Sequence, residues 1–196
     1  MEGVPEQFSY EQDRASFRHL SGQQGVELYR AHITRYAFEP HTHEAFGIGT
    51  IDRGAERFRY RGVQHVAPVD SLVLMNPDEL HTGESATEGG WQYRMIYIEP
   101  QRLAALTGET GWWFEQAVCH DPQRAAQLSR LLENLWQADD PLATDGLRLT
   151  LCDLLRPHAR IARPLAAEPR HRFDQVRDYL LSLIHISEPT RRVVIS

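Results

Sequence analysis

A chain of 196 residues with 41% hydrophobic and 24% charged residues has an ordinary globular composition and is long enough to bury a real core. Its formal charge of −6 leaves no surplus of positive charge to neutralise phosphates, so composition gives no support to nucleic-acid binding by the chain as it stands. No run of about 18 apolar residues is present, the start MEGVPEQFSYEQDR lacks the layout of a secretory signal, and Cys119 and Cys152 are too few and too far apart for a disulfide scaffold or a zinc or redox motif. The expectation is a cytoplasmic protein with two packing thiols and no cofactor called for.

Residues 1–16 are polar and poorly patterned, the composition of an amino-terminal arm that can close over a neighbouring site. From residue 17 to about 100 the chain is built of short β-type runs separated by turn residues, the pattern of an all-β sandwich or barrel. Residues 26–33 (VELYRAHI), 46–51 (FGIGTI), 57–60 (RFRY, arginine alternating with aromatics), 71–75 (SLVLM) and 91–98 (WQYRMIYI) read as strands, with turns at 52–54, 60–62 and 76–78. After Pro100 the period changes to about 3.6, and no further strand is predicted. Residues 101–106 form a short helical turn stopped at Gly108. Asp121 and Pro122 are an N-cap followed by proline at the first helical position, opening a helix with Leu128, Leu131, Leu132 and Leu135 on one stripe. A second helix, 142 to about 158, carries Leu147, Leu151, Leu154 and Leu155, and the turn 139–141 makes the pair an αα-hairpin spanning 101–159 with its leading turn. The leucines can all be intramolecular core; Leu128, Leu131, Leu132, Leu135, Leu151 and Leu155 are the candidates for contact with a second chain. Residues 160–172, rich in Arg, Pro and Ala, have the composition of a linker, and 173–180 restart a helical stripe.

The chemically informative stretch is Pro40-His41-Thr42-His43-Glu44, with Gly54 eleven residues after His43 and a second histidine-bearing turn ending at His81. On a strand, His41 and His43 share a face, Glu44 points the other way, and His81 entering from a neighbouring strand would bring three imidazoles together. Such a trio either hydrogen-bonds in a polar pocket or ligates zinc, iron, nickel or copper. Here the chain resembles the cupin superfamily, whose first motif pairs H-x-H with a glutamate and then a glycine. The glutamate is missing: Gly47 and Ile48 stand where it belongs. No metal is therefore expected, and His41, His43 and His81 are the ligands if one binds.

A narrower resemblance rests on order and spacing. His41-Thr42-His43, the run 48–54 (IGTIDRG), 58–62 (FRYRG), Ala67-Pro68, 72–79 (LVLMNPDE), His81-Thr82-Gly83 and 90–94 (GWQYR) together resemble the amino-terminal effector-binding domain of AraC-type bacterial transcription regulators, over roughly residues 17–160. Asp70 stands where that family commonly has glycine, and aspartate tolerates the positive φ such a turn would need. The resemblance implies a cupin-like, double-stranded β-helix barrel enclosing a small-molecule effector, a helical hairpin used for homodimerisation, and two helix-turn-helix units that grip DNA. Of those units only residues 173–180 would be represented. Residues 181–191 (LSLIHISEPTR) resemble the translation of a transposase sequencing-library adapter, so 181–196 are expected to carry no selected function.

The expectation is thus an effector-sensing, dimerising regulator domain without catalysis and without membrane contact. His41, His43, Phe46, Ile48, Met75, His81, Trp91 and Tyr93 are the candidates to line or rim the pocket, Trp91 and Tyr93 sharing a strand face on which a ring or sugar could stack. Their alternative role is barrel core. Arg94, on the opposite face, is expected in solvent rather than on a ligand. The rival expectation is a small metal-dependent cupin enzyme, a dioxygenase or isomerase, built on His41, His43 and His81.

Overall fold

A computed structural model describes residue 5 and residues 7–20 and 24–162, except that the side chains of 141–143 are not described. Residues 163–196 lie outside the described residues, and with them the bulk of the expected linker, the helix start at 173–180 and the adapter-like tail. The compact unit that contains the described residues is Met1–Ala162.

The described residues form twelve strands and three helices. The first nine strands are β1 (Arg14–His19), β2 (Val26–Ile33), β3 (Phe38–His41), β4 (Phe46–Arg53), β5 (Ala55–Tyr60), β6 (Val63–Pro68), β7 (Ser71–Met75), β8 (His81–Ser85) and β9 (Trp91–Ile98). Then come α1 (Pro100–Thr107), β10 (Thr110–Phe114), β11 (Val118–His120), α2 (Pro122–Gln137), α3 (Pro141–Leu155), a 3-10 turn at Arg156–His158, and β12 (Ala159–Ala162). A six-stranded sheet runs β1-β2-β9-β4-β7-β11, facing a four-stranded sheet ordered β3-β8-β5-β6, and β10 pairs with β12.

The central strands of the large sheet, β4, β7 and β9, are buried on both faces, which explains their near-continuous apolar runs. On β9, Trp91, Tyr93, Met95 and Tyr97 point between the two sheets, while Ile96 and Ile98 point outward. The inward set packs with Tyr29, Ile33, Phe58 and Tyr60 as one core. The outward set, with Leu28, Phe46, Ile48, Leu72 and Leu74, meets the helices in a second core. On β4, Gly47 and Gly49 face inward: a β-carbon on Gly49 would sit 2.0 Å from Met95 Sδ and 2.3 Å from the Arg94 carbonyl oxygen. Bare backbone there is what lets Met95 and Tyr97 fill the space between the sheets.

Turn chemistry fixes the register. Arg61 and Gly62, both at positive φ, close the β5–β6 hairpin in which Tyr60 pairs with Val63, as a two-residue loop between right-twisted strands requires. Asp70 turns β6 into β7 at φ 65°, the left-handed conformation anticipated for that position. Asp121 caps α2 by accepting from the Arg124 amide, 2.9 Å, and Pro122 occupies the first turn.

Two expectations are corrected. The strands do not end at Ile98: β10, β11 and β12 follow, and β11 joins the main sheet beside β7, with Val118 opposite Val73. The arm and the linker are both shorter than composition suggested, because Arg14 to Ser16 pair with β2 and Arg160 to Ala162 lie in β12. Leu128, Leu131, Leu132, Leu135, Leu151 and Leu155 are all buried within this one chain, five of them at 2% exposure or less, against Leu28, Ile48, Leu72 and Ile98 of the sheet. Within this chain they fill the intramolecular role that their spacing also allowed. Both thiols behave as packing groups, and burial pushes the Cys152 thiol up to about 11.

Polar groups fasten α2 to the sheet. Arg94 emerges on the outer face, as expected, but it is engaged: it bonds Asp52 at 2.6 Å and Glu133 of α2 at 2.7 Å, and Ser129 donates to Asp52 at 3.1 Å. Arg30 lies over the Trp136 ring at 3.9 Å. Arg18 of β1 donates to the carbonyls of Trp136 and Ala138 at the carboxy-terminal end of α2, where the helix dipole favours a cation. No described helix is long and apolar enough to cross a membrane.

Candidate functional site

Between the sheets the side chains leave a hollow with mostly apolar walls and a few polar groups. It is lined by Phe38, His41, His43, Glu56, Val73, Met75, His81, Thr82, Gly83, Tyr93, Met95 and Tyr97, and it offers about 30 Å³ to the centre of a water molecule. On that measure one water needs roughly 10–15 Å³, so two or three waters or a compact ion fill it. A sugar-sized guest, whose sites typically measure roughly 300 Å³ or more, enters only if the flexible side chains of Met75 and Met95 repack.

The histidines come from two strand ends that meet. β3 pairs with β8 so that His41 stands directly opposite His81. His43 lies just beyond the end of β3 rather than on it, yet its ring still turns inward, 4.9 Å from His41 and 5.0 Å from His81 between ring centres. One nitrogen from each ring falls within 4.8 Å of the others. His41 Nδ1 is bonded to the Glu39 carbonyl oxygen at 2.6 Å, and His81 Nδ1 to the Glu79 carbonyl oxygen at 2.8 Å. A carbonyl only accepts, so each Nδ1 carries a proton and Nε2 is the ring atom left to face a guest or an ion. Burial holds His81 down to about 4, which keeps that ring neutral. Three imidazoles so held suit a first-row metal ion, with the carbonyls of Glu39 and Glu79 as the outer partners that orient ligating histidines. Glu44 is exposed and takes no part.

Five of the eight candidate pocket residues meet at the hollow: His41, His43, Met75, His81 and Tyr93. Three do not. Phe46 and Ile48 sit on the other face of β4, against the helices, because period-two alternation gives the inward positions to Gly47 and Gly49. Trp91 is on the inward face but fully buried, its ring stacked on Tyr93 at 5.5 Å, so it supports the pocket wall rather than forming it.

Glu56 was the residue missed. It is a buried carboxyl on β5 in the wall of the hollow, and burial pushes it up to about 8. The signal was present in the arginine–aromatic alternation of 57–60: extended two residues back, it puts Glu56 on the face of Phe58 and Tyr60. Phe38, Val73, Met95 and Tyr97 complete the wall and were likewise passed over.

The family model described as the AraC-like ligand binding domain matches residues 23–152, a span that takes in both sheets, the hollow and most of the helical hairpin. The chain belongs to this family. Its AraC-like ligand binding domain has the cupin-like barrel, mainly β with a helical hairpin, that the sequence indicated. No curated protein matches the chain. Among solved structures it is similar to a Cupin 2 conserved barrel domain protein from Salinispora arenicola, with 14% identity over 47% of this chain and 81% of that one, TM-score 0.41. KdgF from Halomonas sp. is similar at 14% identity, 47% and 84% coverage and TM-score 0.39. Bacillus subtilis oxalate decarboxylase is similar at 13% identity, covering 45% of this chain and 26% of that one, TM-score 0.39.

Proposed function

We propose that this AraC-like ligand binding domain is the effector-sensing and dimerising part of a transcription regulator, with DNA contacted by helix-turn-helix units of the parent protein. One observation carries the reading: a hollow between the two sheets that is lined by acceptor groups from β3, β5 and β8 and from the turn after β3. Sensing needs a guest that binds one arrangement of the barrel and its surroundings more tightly than another, since only differential affinity moves an equilibrium. The helical hairpin is the natural reporter. Arg94, Asp52 and Glu133 tie α2 to the strands whose opposite face carries Tyr93 and Met95 of the hollow, so a shift of β9 reaches the hairpin through bonded groups. With the leucine stripe committed to the core, dimer contact falls to the outer surface of the hairpin. A thermal-shift screen over sugars, aromatic acids and amines tests the reading. A saturable rise in Tm accompanied by a change in sedimentation coefficient is expected, and no shift with any of these classes counts against it.

A second reading is favoured by the histidine trio: a metal-dependent cupin enzyme of the dioxygenase or isomerase type. His41, His43 and His81 would hold the ion, which when bound would supply Lewis-acid polarisation of a substrate oxygen. The chain's own part is to hold Nε2 of His41 and His81 toward one point and to wall off water with Tyr93, Tyr97 and Met75. Metal analysis of purified protein separates the readings. Stoichiometric iron or zinc that is lost in His43→Ala, together with turnover, supports the enzyme; metal-free protein that still binds an effector supports the sensor.

A further inference from the structure

We infer that the guest of this hollow is an organic cation bearing an ammonium group, with Glu56 as its counter-charge and the Nε2 atoms of His41 and His81 as its remaining hydrogen-bond acceptors. The inference deepens the sensor reading and rests on it.

The donors and acceptors of the wall set the guest's chemistry. No arginine reaches the hollow, and the chain has no lysine. What does reach it is electron-rich: the Glu56 carboxyl, two imidazoles whose rings are fixed by the carbonyls of Glu39 and Glu79, the sulfurs of Met75 and Met95, and the rings of Phe38, Tyr93 and Tyr97. A carboxylate or phosphate guest would meet no positive partner here. A guest rich in donors would meet acceptors from β3, β5 and β8.

Glu56 makes the charge specific. It is 8% exposed, and desolvation is what pushes its carboxyl up. Burial makes an unpaired carboxylate costly, so without a guest Glu56 keeps its proton, and it ionises when a cationic partner pairs with it. Space has been left for it: a β-carbon on Gly83, the residue of β8 between His81 and Ser85, would come within 3.0 Å of Glu56 Oε1. The carboxyl therefore lies over the bare backbone of β8, outside the three-histidine group whose nitrogens gather within 4.8 Å. An ion seated among the histidines leaves that carboxyl to one side. An ammonium head, with three donors and roughly the volume of a water molecule, has one donor for the carboxyl and others for the imidazoles that line the same hollow, and the aromatic faces add cation–π attraction. The organic part leaves past the half-buried His41 and Thr82.

The test uses the whole chain with n-propylammonium chloride, and n-propanol and propionate as neutral and anionic matches, followed by calorimetry and Tm. Propylammonium binds saturably and raises Tm, the two controls do not, and Glu56→Gln weakens propylammonium by about tenfold to a hundredfold, the loss of one charge-assisted bond. The substitution is isosteric and removes a carboxyl whose burial is costly, so an unchanged or higher Tm without guest is expected; if the variant does not fold, the ranking of the three wild-type titrations decides alone. Equal affinity for propylammonium and propanol, or equal affinity in wild type and Glu56→Gln, overturns the cation assignment. Tight Zn²⁺ binding that survives Glu56→Gln with no propylammonium binding also overturns it and moves the site to the histidines. Saturable binding of a neutral sugar, unaffected by Glu56→Gln, would sink this inference while leaving the sensor reading intact.

Discussion

Asn76 and Phe114 are bonded to each other twice. The Phe114 amide donates to Asn76 Oδ1 at 2.8 Å and Asn76 Nδ2 donates to the Phe114 carbonyl at 2.8 Å, so a side chain beyond the end of β7 imitates a strand partner for β10. The Asn76 amide also donates to the Tyr60 hydroxyl at 2.9 Å, which links both to the second sheet. All three residues are buried. Asn76→Ala leaves an amide and a carbonyl without partners and should cost about 2–3 kcal/mol in urea unfolding. Asn76→Asp loses the Nδ2 donor and buries a carboxyl, so it should be no milder. An alanine variant within about 0.5 kcal/mol of wild type would show that water replaces the side chain.

Gly49 and Met95 define how full the barrel is. A β-carbon at position 49 meets a movable sulfur at 2.0 Å and an immovable backbone oxygen at 2.3 Å. Gly49→Ala should therefore destabilise by about 1–3 kcal/mol or more, the usual range for overpacking. Met95→Ala in the same chain removes only the first clash, so the double variant should recover part of the loss and not all of it. Full recovery would mean that β4 and β9 separate more easily than their pairing implies.

How much was legible follows from the same alternation. Residues 26–33, 71–75 and 91–98 read as strands with the bounds they have, because apolar β-formers buried on both faces leave an unbroken signal. β6 is an edge strand whose Val63 and Val66 are exposed, and β8 reads HTGES; neither has a hydrophobic pattern to find. β10 to β12 are short, and their pairing is set by tertiary contacts that no local window contains. The histidine trio was legible because spacing alone put His41 and His43 together. The size of the hollow was not, since it depends on how Tyr93, Met95 and Tyr97 settle against Gly47 and Gly49. Leucine periodicity found the hairpin but could not say which side its stripe faces.

Burial of that stripe makes a prediction about the hairpin. Leu128→Ala and Leu151→Ala should each cost about 2–5 kcal/mol, the range for a core leucine. Leu149, 48% exposed on α3, should tolerate Leu149→Glu within about 0.5 kcal/mol. If the chain dimerises through this hairpin, sedimentation of folded protein should respond to Leu149→Glu and not to the two core variants at concentrations where they remain folded. A wild-type-like Leu128→Ala would contradict the packing described here.

Asp13 gives the amino-terminal strand a pH dependence of known sign. Its carboxylate accepts from the Thr34 amide at 2.5 Å, the Thr34 hydroxyl at 2.6 Å and the Tyr36 amide at 2.8 Å, with the Arg35 amide at 3.2 Å. Burial alone would raise its pKa, but the Thr34 hydroxyl and the three amides outweigh it and hold it below the ordinary 3.8. A carboxyl depressed on folding contributes stability that is fully present above its unfolded value and is lost as pH falls through the folded one. The turn that joins β2 to β3 is therefore fastened at neutral pH and should loosen only below about pH 4, reported by exchange of the Thr34 and Tyr36 amides. Asp13→Asn keeps an acceptor oxygen without the charge. It should exchange faster at neutral pH and show a flatter acid limb than wild type, and an acid limb of equal steepness in both proteins would assign the transition to other carboxyls.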